Sequence, residues 1–136
     1  MSTLNVNTVQ HNTSGFNNVV QFTDGGGTQN GTLCRAWVNF QGTGTVTIRA
    51  SFNVNSITDN TTEDYTVNFS NAMSDANYAS CITAFHTTTA GSNSFTTYAA
   101  YGGVSQTTSS VRMSGMSGTD GGESRDLAYM AVAVFR

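Results

Sequence analysis

Few side chains in this sequence have the type and spacing that chemistry requires. There are two His and two Cys. His11, Cys34, Cys81 and His86 could supply four zinc ligands, but no C-x-x-C spacing sets them in place, and no metal is expected. His86 is the one base in the second part of the chain. It lies in a Thr-rich stretch with no G-x-S-x-G elbow to present a nucleophile, so Ser/His/Asp or Cys/His hydrolysis finds no support. The six Asp and two Glu fall in turn-like contexts, which does not suggest the two opposed carboxylates of a glycosidase. Asp59-Asn60-Thr61-Thr62-Glu63-Asp64 and Asp120-Gly121-Gly122-Glu123 offer oxygens to a hard cation, yet neither follows the twelve-residue calcium loop. The first reads more simply as a turn closed by its own side chains. The expectation is a protein with no catalytic residue and no cofactor.

Aromatic side chains offer binding instead. In Ser94-Phe95-Thr96-Thr97-Tyr98-Ala99-Ala100-Tyr101 a period of two separates Phe95 and Tyr101 from Tyr98. If one face is exposed, Tyr98 with Thr97, Asn93 and Tyr101 makes a shallow polar surface able to stack on a sugar and hydrogen-bond to it. A core role for the same rings is the competing reading. Trp37, the only Trp, sits in a strand-like run with Leu33 on its face. Together with Phe40 and Phe52 it is expected to anchor either the core or an interface between subunits.

These residues need a frame, and the composition points to strands. Of 136 residues, 22 are Thr, 15 Ser, 14 Asn and 14 Gly, while Lys and Pro are absent. Helix-forming vocabulary is nearly missing, so the default is β structure. Val46-Thr47-Ile48-Arg49-Ala50-Ser51-Phe52 alternates, which predicts Val46, Ile48, Ala50 and Phe52 facing inward. Tyr65, Val67 and Phe69 repeat the pattern. Leu33 to Phe40 is apolar on both faces apart from Arg35 and Asn39, as a central strand would be. Leu127 to Phe135 is apolar throughout; its Val and Phe content and the preceding Gly121-Gly122 favour a strand over a short helix. Weaker strands are 78–85, 94–101 and 109–113. Turn signals separate them, including Thr58-Asp59-Asn60. About seven strands in 33–136 predict an all-β head, an antiparallel, jelly-roll-like β-sandwich. Residues 1–32 hold too few large apolar side chains for a core. Leu4, Val6 and Val9 open an alternating run, Val19 to Phe22 resume it, and the segment reads as an extended attachment arm that must pair with something.

Charge narrows the partners. Five Arg scattered in a chain of net charge −3 do not make the basic footprint that phosphate needs, so nucleic acid is not an expected partner. No apolar run approaches the ~20 residues of a membrane-spanning helix, and the opening residues lack the basic and apolar regions of a signal peptide. With 38% hydrophobic residues the chain can bury a core, which argues against disorder.

The ordered block Leu33-Cys34-Arg35-Ala36-Trp37-Val38-Asn39-Phe40, Gly42-Thr43-Gly44, Ile48-Arg49-Ala50-Ser51-Phe52-Asn53-Val54, Ile57-Thr58-Asp59-Asn60, Asp64-Tyr65-Thr66-Val67-Asn68-Phe69 and Met73-Ser74-Asp75-Ala76-Asn77-Tyr78 resembles the C-terminal domain of tail-fibre-type virion proteins of bacteriophages, common in marine and cyanobacterial phages. The opening Ser2-Thr3-Leu4-Asn5-Val6-Asn7-Thr8 is similar to the short β-arm of such chains. The resemblance implies a structural virion protein, made in the host cytoplasm and assembled as a homotrimer. Its arm, through Leu4, Val6 and Val9, would dock on a tail nozzle, adaptor or capsid protein. Its head would meet host-surface polysaccharide. Typical fibres carry a larger N-terminal anchor, so a capsid decoration or head-fibre protein is the alternative. In a reducing cytoplasm Cys34 and Cys81 are expected as buried free thiols, with a bridge between them left open. Arg35, Arg49, Arg112 and Arg125 are expected to pair with carboxylates.

Overall fold

The computed structural model describes residues 19–24, 27–85, 95–99, 106–117 and 126–136. Leu4, Val6, Val9, His11, His86, Asn93, Tyr101 and Arg125 therefore lie outside the described residues. The chain divides into two compact units, Met1–Leu33 and Cys34–Arg136. In the first, β1 (Val19–Asp24) and β2 (Gly27–Thr32) pair as an antiparallel hairpin, from Val19 opposite Thr32 to Asp24 opposite Gly27. This part of the expected arm folds back on itself.

The second unit is all strand in its regular elements: β3 (Cys34–Gln41), β4 (Thr47–Phe52), β5 (Val54–Thr61), β6 (Asp64–Phe69), β7 (Ala79–Phe85), β8 (Phe95–Ala99), β9 (Ser110–Ser117) and β10 (Tyr129–Phe135). They form two four-stranded antiparallel sheets, ordered β4-β3-β10-β7 and β5-β6-β9-β8. The inner faces meet in one core. Ala36, Val38 and Phe40 of β3 and Met130, Val132 and Val134 of β10 come from the first sheet; Tyr65, Val67 and Phe69 of β6 and Val111 and Met113 of β9 come from the second. The Phe40 and Tyr65 rings touch edge-to-face across the two layers, 5.3 Å between centroids. This is a β-sandwich whose two central strand pairs, β3–β10 and β6–β9, carry the core.

Alternation explains most of this, and two departures have local causes. The predicted turn at Thr58-Asp59-Asn60 is part of β5; the chain reverses at Thr62-Glu63, where Glu63 takes a left-handed φ of 63°. Polar β5 holds its pairing through side chains: the Asn68 amide donates to Ser56 Oγ (3.1 Å) and Thr58 Oγ1 (3.0 Å) across the strands. The second departure lies in β4. Asn39 pairs with Ala50 but Phe40 with Ile48, so Arg49 is a bulge. An extra residue shifts the phase of everything beyond it. Val46 and Ile48 pack on the core as expected, whereas Ala50 and Phe52 join the outer face.

Between β4 and β5 the chain passes from one sheet to the other with Asn53 alone as connector. Its φ of 54° is left-handed, a conformation that Asn tolerates better than most residues. Its side-chain amide donates to the carbonyls of Arg35 (3.0 Å) and Asn71 (3.1 Å), and its Oδ1 accepts the Asn71 N–H (2.8 Å). One side chain thus ties β3 of the first sheet to the segment that leaves β6 of the second. Replacing it separates backbone from side-chain effects. Asn53→Ala should lose about 3 kcal/mol, chiefly through three hydrogen bonds of about 1 kcal/mol each. Asn53→Gly should recover about 1 kcal/mol of that by removing the strain. Urea midpoints at unchanged slope measure both.

Candidate functional site

The two sheets differ in what they turn outward, and that difference defines the candidate site. On the second sheet the outward side chains of β5 and β6, with Arg112 of β9, are polar and cross-linked. Beside the Asn68 bonds, the Asn60 amide donates to Thr66 Oγ1 (2.9 Å) and to Asp64 Oδ1 (3.1 Å). Asp64 is buried and holds Arg112 through both carboxylate oxygens, Nε donating to Oδ1 at 2.7 Å and Nη2 to Oδ2. The Arg112 guanidinium keeps the Asp64 carboxyl below its ordinary range, against the opposing effect of burial. This fork-to-fork pair is the carboxylate partnership expected of Arg112, and it occupies one of the oxygen donors that the 59–64 run offers to a cation.

On the first sheet the middle outer positions are mostly apolar, with Asn39 and Thr83 among them. Register places Phe52, Trp37, Ala133 and Cys81 side by side in one row across β4, β3, β10 and β7, with Ala50, Asn39, Ala131 and Thr83 in the next. Trp37 is 40% exposed and Phe52 55% exposed. Neither is a core anchor; only Phe40 of the three is, being fully buried. Trp37 falls in the odd phase of β3, between inward Ala36 and Val38, and the Arg49 bulge brings Phe52 to its side. Beside this aromatic ridge the surface dips over the small residues of β10 and β7. The dip measures about 370 Å³ and is lined by Trp37, Asn39, Cys81, Thr83, Ala131 and Ala133. A second hollow of about 120 Å³ shares Asn39, Thr83 and Ala131 and reaches Tyr129, which is 42% exposed.

Arginine side chains close this face at its ends. Arg35 shares the outward phase of β3 next to Trp37. Arg49, in the bulge, lies 4.0 Å over the Tyr129 ring and donates to the carbonyls of Phe40 (3.1 Å) and Ala128 (2.8 Å), not to a carboxylate. Arg136, a residue that carries no motif in the sequence, pairs with Asp75. Cys81 is exposed and Cys34 half-buried, its thiol donating to the Ala36 carbonyl at 3.2 Å. The two thiols are free, and Cys81 is not buried as expected, because it follows the outer phase of β7.

At one end of the sandwich a polar cluster joins the sheets. The buried Tyr65 hydroxyl lies 3.0 Å from the Gly42 carbonyl and 2.9 Å from Asp126 Oδ1, two acceptors it serves one at a time. Asp126 also accepts the Glu63 N–H at 3.0 Å. Burial, with the Asp126 carboxylate second, pushes the Tyr65 phenol far above its ordinary range, so it stays protonated and acts as a tie. A Cβ at Gly42 would stand 2.6 Å from the Tyr65 oxygen and 2.9 Å from the Leu127 carbonyl, which explains glycine there. No three His, Cys, Asp or Glu among the described residues group as a metal site.

The sugar-binding surface expected from sequence is placed only in part. Thr97 and Tyr98 are in β8, opposite Gly115 and Ser114. Position 98 thus shares the row of Ser114 and Asp64, and position 97 the alternate phase. No helix among the described residues is long and apolar enough to cross a membrane. No family model, curated protein or solved structure matches the chain.

Two substitutions probe the polar ties of the sandwich. Asp64→Asn should cost about 1–2 kcal/mol at pH 7, the worth of a charge-assisted pair. Because the folded carboxyl titrates below its unfolded value of ~3.9, that contribution is present above pH ~4 and fades as pH falls through the folded value. Urea unfolding of both proteins at pH 7 and pH 3 should show the gap narrowing. Gly42→Ala should destabilise by about 1–3 kcal/mol through overpacking against Tyr65, read from the thermal midpoint.

Proposed function

We propose that the protein is a structural component of a bacteriophage virion, a small tail fibre or tail-associated protein that works as a homotrimer and attaches to host-surface glycan. It carries out no reaction in this reading; its task is assembly and contact. The observation that carries it is the apolar outer face around Trp37 and Phe52, set against the hydrogen-bonded polar face of the other sheet. Contiguous apolar surface on a chain this small marks a place where another surface belongs. Among the described residues, eight strands in two four-stranded sheets match the strand number of a jelly-roll head. The block 33–78, which resembles phage fibre heads, runs from β3 through β6, so the resemblance falls on the two strands that carry Trp37 and Phe52 and on part of the core.

Low charge supports assembly in the same way. Only 10% of residues are charged, so little ion desolvation opposes bringing copies together. Three heads held together would let weak glycan contacts sum, an avidity effect that needs no strong single site. Tyr98, Thr97, Asn93 and Tyr101 remain the proposed glycan-facing residues, and Leu4, Val6 and Val9 the docking arm on a tail or capsid protein.

Light scattering after size exclusion tests the assembly. The expected mass is about 43 kDa, three times 14.4 kDa; a stable 14.4 kDa monomer would overturn the trimer and favour a capsid-decoration role. Labelled protein should adsorb to susceptible cells, with Tyr98→Ala adsorbing several-fold less. Binding to capsids and none to cells would overturn attachment.

A further inference from the structure

We infer that Arg35 and Trp37 together form a subsite for an acidic sugar, the carboxylate held by the guanidinium and the ring resting on the indole. This inference rests on the glycan-attachment reading and deepens it by naming the class of glycan. The deciding residue is Arg35. Arg112 pairs with Asp64 and Arg136 with Asp75. Arg49 uses its guanidinium on the Phe40 and Ala128 carbonyls and on the Tyr129 ring. Sequence alone predicts a carboxylate partner for Arg35 as well, yet its half-buried side chain meets none among the described residues. A guanidinium that is partly withdrawn from water and has no acceptor gains by meeting a carboxylate, whose two oxygens its planar fork can hold at once.

The surroundings select the kind of carboxylate. Arg35 lies two residues before Trp37 on β3 in the same outward phase, about 6.6 Å along the strand. Beyond Trp37, the hollow of about 370 Å³ offers the Asn39 amide and the Thr83 hydroxyl. A cation, an exposed aromatic face and two neutral hydrogen-bonding groups thus follow one another. An acidic sugar carries the matching series: a carboxylate at one edge of its ring, C–H groups to pack on the indole, and hydroxyls for the amide and the Thr oxygen. An acidic peptide would engage Arg35 but brings no hydroxylated ring to the rest. The net charge of −3 does not oppose this, because the head's described carboxylates lie elsewhere. Asp59 and Asp64 belong to strands of the other sheet, Glu63 and Asp126 to the polar end beside Tyr65, and Asp75 is held by Arg136. Salt screens such distant charges and leaves the local guanidinium to act.

Trp37, the sole Trp, reports on the subsite directly. Titrating the full-length protein with oligogalacturonate and with oligosialate should change its fluorescence saturably for at least one of them. Neutral maltohexaose should bind about ten-fold or more weakly, the ratio that one charge-assisted pair supplies. Arg35→Gln should bind the acidic probe no better than the neutral one, with an unchanged circular dichroism spectrum. Undiminished binding by Arg35→Gln would overturn the inference, as would no response to either acidic probe or an equal response to maltohexaose. Polyglutamate that competes with the acidic sugar and shifts Trp37 equally would overturn the sugar in favour of a peptide.

The unaltered protein supplies a readout that needs no substitution. Its affinity for the acidic probe should fall several-fold as sodium chloride is raised, while its response to maltohexaose stays constant. An acidic-probe affinity indifferent to salt would overturn the guanidinium contact. Cell adsorption separates this inference from the reading beneath it. Labelled Arg35→Gln that adsorbs as well as the unaltered protein would overturn the subsite and leave attachment standing. No adsorption of the unaltered protein would remove attachment itself.

Discussion

The head depends on a chain crossing made by one residue. Asn53 has to leave the first sheet and enter the second without a loop, and a left-handed backbone is what permits so sharp a change. Its amide then satisfies carbonyls belonging to both sides of the sandwich. Such a corner joins the two sheets directly through backbone and side chain. Beside it Phe40 meets Tyr65 edge-on, and the two central strand pairs share one core.

A second constraint, the bulge at Arg49, decides what the sandwich shows to its surroundings. A β-bulge changes which face later residues occupy. In β4 it sends Ile48 inward and Phe52 outward, although both lie in one alternating apolar series. The inserted Arg is not wasted: its guanidinium reaches backbone carbonyls of β3 and of the turn before β10 and covers a face of Tyr129. Outward Phe52 joins outward Trp37, and a sheet that would otherwise have been half-buried in the usual way acquires an apolar outer surface. The opposite sheet solves the same problem with hydroxyls and amides bonded across strands and with the Asp64–Arg112 pair. One molecule thus has one sheet whose outward side chains bond across strands and one whose outward Trp37 and Phe52 are open.

The same economy runs through the polar groups of the interior. Tyr65 places a large ring in the core and its hydroxyl at the rim, where Gly42 and Asp126 receive it. Tyr78 does likewise against the carbonyls of Thr107 and Ser110 (3.1 and 2.7 Å), with burial pushing its phenol up to about 12. In a chain with so few charges, these tyrosine ties fasten loops to the rim of the core.

By itself the sequence determined the β class, the inward face of 65–69, the central place of β3 and the strand at the C-terminus. Each follows from the two-residue period of strands, which is local and needs no partner to be legible. The hairpin position after Asn60 and the phase of β4 were decided by tertiary structure. A turn signal yields when a paired strand bonds the same side chains across the ladder, and a single-residue bulge is invisible to an alternation count. The exposure of Trp37, Phe52 and Cys81 is of that kind. Residue type argued for burial in all three, and only the pairing of β4, β3, β10 and β7 put them together on the side away from the core. Face assignment depends on register between distant strands, and register is a property of the folded sheet.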